Sequence, residues 1–368
     1  MTQVSEKSQA KKILIMAGGT GGHIFPGLAV ADHLVAQGWE VCWLGTKERM
    51  EATLVPERGY KIRFIPVAGV RGNGLKRLLL APLMIARSII EAIQVIREEK
   101  PSVVLGMGGF ASGPGGIAAW LLRKPIVLHE QNAIAGVTNR ILAYFARQVL
   151  MAFPNTFASK HKAVMVGNPI RQQISDLATQ ELAVISDRPL NVLILGGSLG
   201  AKALNENLPK LLGESTSADQ INVWHQTGRG NKDAAVTLYK TTMNSNHDIR
   251  VDEFIVNMTE AYQWADLVIC RAGALTVAEV AAAGVAAIFV PFPFAVDDHQ
   301  TLNAGWLADN DAAIIVQQDV LAQPDSVKQI NDLLADRIQL QHMAVKARQV
   351  AITDATDKVA EYCKNLVA

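Results

Sequence analysis

The sequence predicts an α/β protein with two parallel-sheet domains, and three observations support this fold class. Short, continuously apolar segments alternate with helical patterns, as in parallel sheets that helices cover on both faces. Three of the apolar segments end in glycine-rich loops, which begin near Gly18, Gly106 and Gly196. The chain of 368 residues is also long for a single hydrophobic core, so two domains are expected.

The first half predicts one series of strands and helices. The predicted strands cover residues 13–16, 41–44, 62–66, a segment starting at 103, 125–128 and 163–166. Helical patterns cover 27–37, which ends at a glycine, and about 83–99. Because Gly167-Asn168-Pro169 interrupts regular structure, we place the first domain at 1–169 and the second at 170–349.

The second half repeats the pattern. Its predicted strands include residues 192–195, 221–224, 267–270, 287–290 and 313–316. If the sheets are parallel, the loops after these strands share one edge, where α/β proteins bind their ligands.

Composition excludes several classes of function. The net charge of +1 gives no bulk attraction to nucleic acid. The three cysteines are odd in number and far apart, which indicates a reducing compartment and no thiolate metal site. The longest apolar stretch, 280–296, contains a glycine and two prolines, so we expect no membrane span, and no secretion signal precedes residue 13.

The three glycine loops suggest a diphosphate ligand. A strand that breaks into glycines before a helix leaves free N–H groups at the positive end of the helix dipole. Ile24 stands where a dinucleotide fingerprint needs its third glycine, and the second strand ends in Gly45-Thr46 without an acid, which argues against hydride transfer. For each loop alone, a tight turn without a ligand is the alternative.

Two side chains next to such loops are candidates for chemistry. His23 follows the first loop, where an imidazole can act as a general base, or can simply bond to backbone at a helix start. Glu279 follows a glycine turn in the second half, where it can accept two ribose hydroxyls, or only complement a helix dipole. Asp309-Asn310-Asp311 is typical of a turn, and His129-Glu130 lacks a second histidine, so no metal site is expected.

A basic and apolar segment suggests a membrane surface. It contains Leu75, Lys76, Leu78, Leu79 and Leu80, and such a mixture suits docking on anionic lipid without spanning it. A buried helix with solvated basic residues is the alternative.

Several motifs in order along the chain resemble the MurG family of peptidoglycan N-acetylglucosaminyltransferases. They are Gly18-Gly19-Thr20-Gly21-Gly22-His23, Gly106-Met107-Gly108-Gly109-Phe110, His129-Glu130-Gln131-Asn132, Asn168-Pro169-Ile170-Arg171, Gly196-Gly197-Ser198 and Arg271-Ala272-Gly273-Ala274-Leu275-Thr276. The resemblance runs from about residue 13 to the C-terminus. One departure is Ala286, where the family usually has proline.

The resemblance implies a GT-B fold, with two Rossmann-like domains facing across a cleft and a C-terminal helix, 350–368, packed back on the first. It implies inverting transfer of N-acetylglucosamine from UDP-N-acetylglucosamine to the C4 hydroxyl of a muramoyl pentapeptide on undecaprenyl diphosphate. No metal or other cofactor is implied. The implied partners are the two substrates, an anionic membrane and cell-wall synthesis proteins, and the implied location is the cytoplasmic face of the bacterial inner membrane.

The resemblance also implies roles for individual residues. His23 matches the family's candidate general base. Donor contacts fall on Thr20, Gly21, Gly22, Asn132, Arg171, Ser198, Ile255, Ala274, Leu275, Thr276, Val277, Ala278, Glu279 and Gln300. We assign the acceptor's diphosphate to Gly106, Gly108, Gly109, Ser112 and Gly113.

Two other functions remain open at this point. One is another GT-B enzyme acting on a UDP-sugar, such as a lipid galactosyltransferase or an epimerase. The other is a scaffold at the membrane that binds a UDP-sugar without turnover.

Overall fold

The computed structural model describes residues 11–67, 74–182, 184–185, 188–197, 200–215, 220–243 and 248–367, with backbone alone for 74–81. The chain divides into two compact units. The first unit contains Met1–Arg171 and Asp354–Ala368, and the second contains Gln172–Thr353. Within the described residues, each unit has one parallel sheet, which confirms the predicted α/β class with two Rossmann-like domains.

The sheet of the first unit has the strand order β3-β2-β1-β4-β5-β6-β7 over its described residues. The strands are β1 (Lys12–Ala17), β2 (Glu40–Gly45), β3 (Lys61–Phe64), β4 (Val103–Gly108), β5 (Ile126–Glu130), β6 (Gln148–Met151) and β7 (Val164–Met165). Strands β1 and β4 are almost wholly buried because helices cover both faces of the sheet.

Helices of the first unit pack on this sheet. They are α1 (Gly21–Ala36), α2 (Glu51–Glu57), α3 (Gly74–Glu99), α4 (Ser112–Leu121), α5 (Val137–Leu142) and, from the end of the chain, α14 (Ala355–Asn365). The α14 residues Val359, Ala360 and Cys363 are fully buried in the same core as Ile13 and Leu34. The C-terminal helix is therefore an integral part of the first unit.

The second unit has the strand order β10-β9-β8-β11-β12-β13 over its described residues. Its strands are β8 (Leu190–Leu195), β9 (Ile221–Gln226), β10 (Ile249–Asp252), β11 (Leu267–Cys270), β12 (Ala286–Phe289) and β13 (Ala313–Ile315). Its helices are α6 (Gln172–Ser175), α7 (Lys202–Gly213), α8 (Lys232–Thr242), α9 (Met258–Trp264), α10 (Ala274–Ala283), α11 (His299–Ala308), α12 (Pro324–Ala335) and α13 (Arg337–Gln349).

Four details differ from the sequence prediction, and the first is that α3 begins at Gly74 rather than near residue 83. Strands β6 and β10, of four residues each, were not predicted. Helix α1 begins at Gly21 rather than near residue 27, so His23 lies in its first turn. Strand β4 continues to Gly108, which places Gly106 inside the sheet rather than in the loop.

Candidate active site

Two glycine loops of the first unit meet at the carboxyl edge of its sheet. Strands β1 and β4 are neighbours, but the sheet continues from β1 toward β2 and from β4 toward β5, so the strand order reverses between them. Open parallel sheets bind ligands beside such a switch point. The loops that follow β1 and β4 both lie there, as the sequence analysis expected.

These two loops touch through their backbones. A β-carbon on Gly109 would lie 2.3 Å from the carbonyl oxygen of Gly18, and Gly109 has a φ of +89°. A β-carbon on Gly108 would lie 2.9 Å from Cε1 of His23. Both positions therefore require glycine, and His23 packs directly against the second loop.

His23 is half-buried and hydrogen-bonded to the end of β5. Its Nδ1 lies 2.7 Å from Oε1 of Gln131. The amide Nε2 of Gln131 lies 3.0 Å from Nδ1 of His129, and Nε2 of His129 lies 2.9 Å from the carbonyl oxygen of Gly167. Burial lowers the pKa of His129 to about 4, so its ring is neutral at neutral pH. The end of β5, which carries His129 and precedes Gln131, thus fixes the Nδ1 side of the His23 ring.

Glu51 stabilises the first glycine loop, a role that was not predicted from the sequence. Its buried carboxylate accepts hydrogen bonds from Gly19 N at 2.9 Å, Thr46 N at 3.1 Å and Thr46 Oγ1 at 2.7 Å. This carboxylate lies at the start of α2. Because the carboxylate occupies the N–H of Gly19, this amide does not serve a diphosphate, and the first loop is less open to anions than its glycines suggested.

Thr20 and the first turn of α1 remain accessible. Thr20 is the N-cap of α1, and its side chain makes no capping hydrogen bond. No acidic residue lies in the first turn, so the positive helix end that includes Gly21 and Gly22 is not neutralised locally.

Asn132 is positioned by the buried carboxylate of Glu130. Oε1 of Glu130 accepts from the backbone N–H of Asn132 at 3.0 Å and from its Nδ2 at 3.3 Å, while Oε2 accepts from Gly136 N and Asn139 Nδ2. Glu130 is 2% exposed, so its carboxyl oxygens bond to these protein donors rather than to bulk water. Glu130 therefore shapes the loop that carries Asn132.

The residues expected to hold the acceptor's diphosphate do not all face the same way. Ser112 is fully buried, and its hydroxyl points inward to the carbonyl oxygens of Gly108 at 2.7 Å and Met16 at 2.9 Å. Gly106 is buried within β4. Gly108, Gly109 and Gly113 lie at the loop and the start of α4, whose first turn contains no acid.

Arg171, the last residue of the first unit, lies beside α1. Its guanidinium carbon is 5.0 Å from the ring centroid of Phe25, two residues after His23. This cation–π contact brings a positive charge near the first turn of α1.

In the second unit, Glu279 lies on α10, the helix that follows β11 and its loop. Strands β8 and β11 border the switch point of this sheet. Glu279 is 5% exposed, and its Oε2 accepts a hydrogen bond from the hydroxyl of Tyr262 at 3.2 Å. Tyr262, on α9, was not identified from the sequence. The N-cap of α10 is Gly273, and no acid lies in the first turn, which contains Ala274, Leu275 and Thr276.

The other donor candidates of this unit lie on nearby loops and helices. Gln300, in the first turn of α11, accepts a hydrogen bond from Phe292 N at 2.9 Å. Arg271, which is not one of these candidates, donates to the carbonyl oxygens of Val290 and Pro291 and so ties the β11 loop to the segment after β12. Burial lowers the pKa of its guanidinium. The Ile255 side chain is buried. Val277 and Ala278 continue α10, and Ser198 lies outside the described residues.

The described residues also bear on a metal site and on a membrane-spanning helix. Among the described residues, no three His, Cys, Asp or Glu side chains are grouped to hold a metal ion. Within the same part of the chain, no helix combines the length and apolar character needed to cross a bilayer. The side chains of Leu75, Lys76, Leu78, Leu79 and Leu80, at the start of α3, lie outside the described set.

Comparison with known proteins identifies the family. The profile of the glycosyltransferase family 28 N-terminal domain matches residues 13–151, and that of the family 28 C-terminal domain matches residues 191–359. The chain belongs to glycosyltransferase family 28. The two matched segments carry the two switch-point sites, one in each unit.

Close relatives of the chain share one name, UDP-N-acetylglucosamine–N-acetylmuramyl-(pentapeptide) pyrophosphoryl-undecaprenol N-acetylglucosamine transferase. The protein of Aeromonas hydrophila is 54% identical over 97% of this chain and 97% of its own length. That of Psychromonas ingrahamii is 53% identical over 97% and 99%. The chain is thus a glycosyltransferase.

Solved structures agree at the level of fold. The crystal structure of Acinetobacter baumannii MurG has a TM-score of 0.82 and 45% identity, covering 96% of this chain and 99% of that one. A UDP-GlcNAc 2-epimerase of Neisseria meningitidis has a TM-score of 0.65 but 12% identity, over 96% of this chain and 100% of that one. The epimerase alternative therefore has support from the fold alone.

Proposed function

We propose that this enzyme transfers N-acetylglucosamine from UDP-N-acetylglucosamine to the C4 hydroxyl of the muramoyl pentapeptide on undecaprenyl diphosphate, a step of peptidoglycan synthesis. Relatives named for this transfer match nearly the whole chain. The observation that carries the proposal is the position of His23, between two glycine loops at a switch point and bonded through Nδ1 to Gln131.

In the proposed reaction, His23 acts as the general base. It removes the proton from the C4 hydroxyl as that oxygen attacks the anomeric carbon of the donor sugar. The bond from this carbon to the diphosphate breaks on the opposite side, so the configuration inverts and UDP leaves. Asn132, held by Glu130, contacts the transferred sugar in this scheme.

The second unit binds the UDP portion in this proposal. Glu279 accepts the ribose hydroxyls, and the backbone at Ile255 meets the uracil. The start of α10, which has no acid in its first turn, stabilises the charge that develops on the departing diphosphate. We propose on this basis that no metal cofactor is required. Arg171 and Ser198 contribute further phosphate contacts.

The acceptor's diphosphate belongs to the second glycine loop of the first unit. Gly108 lies beside His23, Gly109 packs on the backbone of Gly18, and the first turn of α4, which contains Gly113, lacks an acid. Ser112 supports this loop from inside rather than contacting the ligand, because its hydroxyl donates to backbone carbonyls.

An assay of UDP release tests the function. We expect release from UDP-N-acetylglucosamine only when a lipid-linked muramoyl pentapeptide is present, and unchanged rates after chelation of divalent metals. The variant His23→Ala should lower kcat by roughly 10²–10⁴-fold while UDP still binds, since a general base contributes about that factor. Equal use of UDP-galactose, or turnover without acceptor, would refute the proposed substrates.

We further propose that the first unit docks on an anionic membrane at the cytoplasmic face of the inner membrane. On α3, Leu83 is 70% exposed and Ile90 is 57% exposed, and Trp120 and Leu121 at the end of the neighbouring α4 are also exposed. Arg123, next to them, is exposed. Apolar side chains bordered by cations suit a lipid surface, and the acceptor named in the relatives carries a polyprenyl chain.

Vesicle binding tests this surface. We expect Leu83→Glu to weaken binding to vesicles that contain anionic lipid, without a change in thermal unfolding. Leu302→Glu is the control, because Leu302 is also an exposed leucine, with 49% of its surface accessible, but lies in the second unit. Equal loss in both variants, or in neither, would contradict the proposed surface.

A further inference from the structure

The buried ring of His129 has a single possible arrangement of protons. Its Nε2 lies 2.9 Å from the carbonyl oxygen of Gly167, which can only accept, so Nε2 carries the hydrogen. Burial lowers the pKa of this ring to about 4, so it holds one proton at neutral pH. Nδ1 of His129 is therefore bare and accepts a hydrogen bond.

This arrangement orients the amide of Gln131. The amide Nε2 lies 3.0 Å from the bare Nδ1 of His129 and 3.2 Å from the carbonyl oxygen of the same residue. Both atoms are acceptors, so the NH2 group must face them. The amide oxygen is left to face His23, 2.7 Å from its Nδ1.

The amide oxygen in turn determines the tautomer of His23. An amide oxygen can only accept, so Nδ1 of His23 carries the hydrogen. In the neutral imidazole the other nitrogen, Nε2, is then bare and able to take a proton. No hydrogen-bond partner for this Nε2 occurs among the described residues.

We propose that Gln131 is a positioning residue that sets the tautomer of His23, so that Nε2 is the nitrogen that removes the acceptor's proton. The inference rests on the proposed function, because it assigns the base of that reaction. Gly108 supports the same geometry, since its lack of a side chain lets the imidazole pack against the loop.

A neutral orienting residue suits this site. In serine proteases a buried carboxylate holds the catalytic histidine in one tautomer and stabilises its charged form. Here the orienting group and the ring behind it are both neutral, so no negative charge lies directly behind His23. The carboxylate adjacent in sequence to Gln131, that of Glu130, accepts hydrogen bonds from Asn132, Gly136 and Asn139. Two anionic substrates can therefore bind beside His23 without repulsion from an orienting carboxylate.

Steady-state kinetics of Gln131→Met test the role, because methionine keeps the length of the side chain but cannot orient an imidazole. We expect kcat to fall about 10- to 100-fold, which is less than the full contribution of a general base. The KM for UDP-N-acetylglucosamine should stay within about twofold, since the ribose and uracil contacts lie elsewhere. Gln148→Met is the control, as Gln148 lies on the adjacent β6 and its amide donates, within the described part of the chain, only to the neighbouring carbonyl of Val149.

A nitrogen NMR measurement separates tautomer control from a merely structural role. In protein labelled with [15N]histidine, long-range ¹H–¹⁵N spectra show which ring nitrogen is protonated, and His23→Gln identifies the His23 signals. We expect Nδ1 protonated and Nε2 bare in the parent protein, with this preference lost in Gln131→Met.

Two results would overturn the inference. One is a parent protein whose His23 carries its proton on Nε2, and the other is an unchanged tautomer in Gln131→Met, whatever its activity. If the parent protein transferred no sugar to the lipid-linked acceptor, the proposed function would fail instead, and the NMR result would still report on the hydrogen-bond chain.

Discussion

Removing the Glu51 carboxylate should loosen the first glycine loop more than removing any contact at the surface of that loop. The carboxylate is 1% exposed and accepts three hydrogen bonds, one from Gly19 and two from Thr46. In Glu51→Gln the remaining carbonyl oxygen can keep the two bonds to Thr46. The new NH2 group then faces the N–H of Gly19, which loses its acceptor.

The expected cost follows from this count. A hydrogen bond to a charged group contributes about 1.5–3 kcal/mol, so one lost bond destabilises the loop by roughly 2 kcal/mol. Since 1.36 kcal/mol corresponds to a factor of ten, the opening equilibrium of the loop should rise about 30-fold. Glu51→Ala removes all three bonds and leaves a cavity, so it should cost at least about 4 kcal/mol.

Hydrogen exchange followed by mass spectrometry can measure this locally, which matters because a chain of two units need not unfold in one step. Peptides that cover residues 15–25 should exchange about 30-fold faster in Glu51→Gln, while peptides from the second unit should not change. Glu48→Gln, at an exposed position three residues earlier, should leave exchange at the wild-type rate. Wild-type protection of the loop in Glu51→Gln would refute the bracing role.

Three further outcomes are expected. Gly109→Ala should lower the melting temperature more than Gly59→Ala. Both glycines have positive φ, but only at position 109 would a β-carbon lie against backbone atoms. Equal losses of melting temperature in the two variants would exclude that clash. Burial alone would raise the pKa of Glu99, but its three cationic partners outweigh burial and lower this pKa. The stabilisation from Glu99 is therefore present above the unfolded pKa of about 4.5 and is lost as pH falls through the folded pKa. Glu99→Gln should flatten the acid side of a plot of stability against pH, and an unchanged acid side would contradict this. Glu279→Ala should raise the KM for UDP-N-acetylglucosamine with little change in kcat, and an unaffected KM would contradict the ribose role.

The sequence was sufficient to predict elements whose signal is local. Strands β1, β4 and β8 are continuous apolar runs followed by glycine-rich loops, so both their type and their ligand-binding edge could be predicted directly. Strand β6 has no such boundary. Its identity as a strand depends on pairing with β5, a contact that leaves no pattern in its own four residues.

The site shows the same limit. His23 was found because it follows glycines, which signal a turn at a strand end. Glu51 was missed because its function is to accept a hydrogen bond from Gly19, a residue 32 positions away in sequence. The orientation of Gln131 likewise depends on a carbonyl contributed by Gly167 and on the burial of His129, and neither is visible in a local motif.

The chain of hydrogen bonds from His23 through Gln131 and His129 ends on a main-chain oxygen, that of Gly167. Mutation of a side chain cannot remove this last acceptor. No amino-acid replacement at position 167 deletes a carbonyl. The peptide plane can be redirected only by changing the path of the backbone, and Gly167 has a φ of +84°, which residues with a β-carbon adopt poorly. A substitution at position 167 can therefore change which nitrogen of His23 is protonated only by straining the backbone at that position.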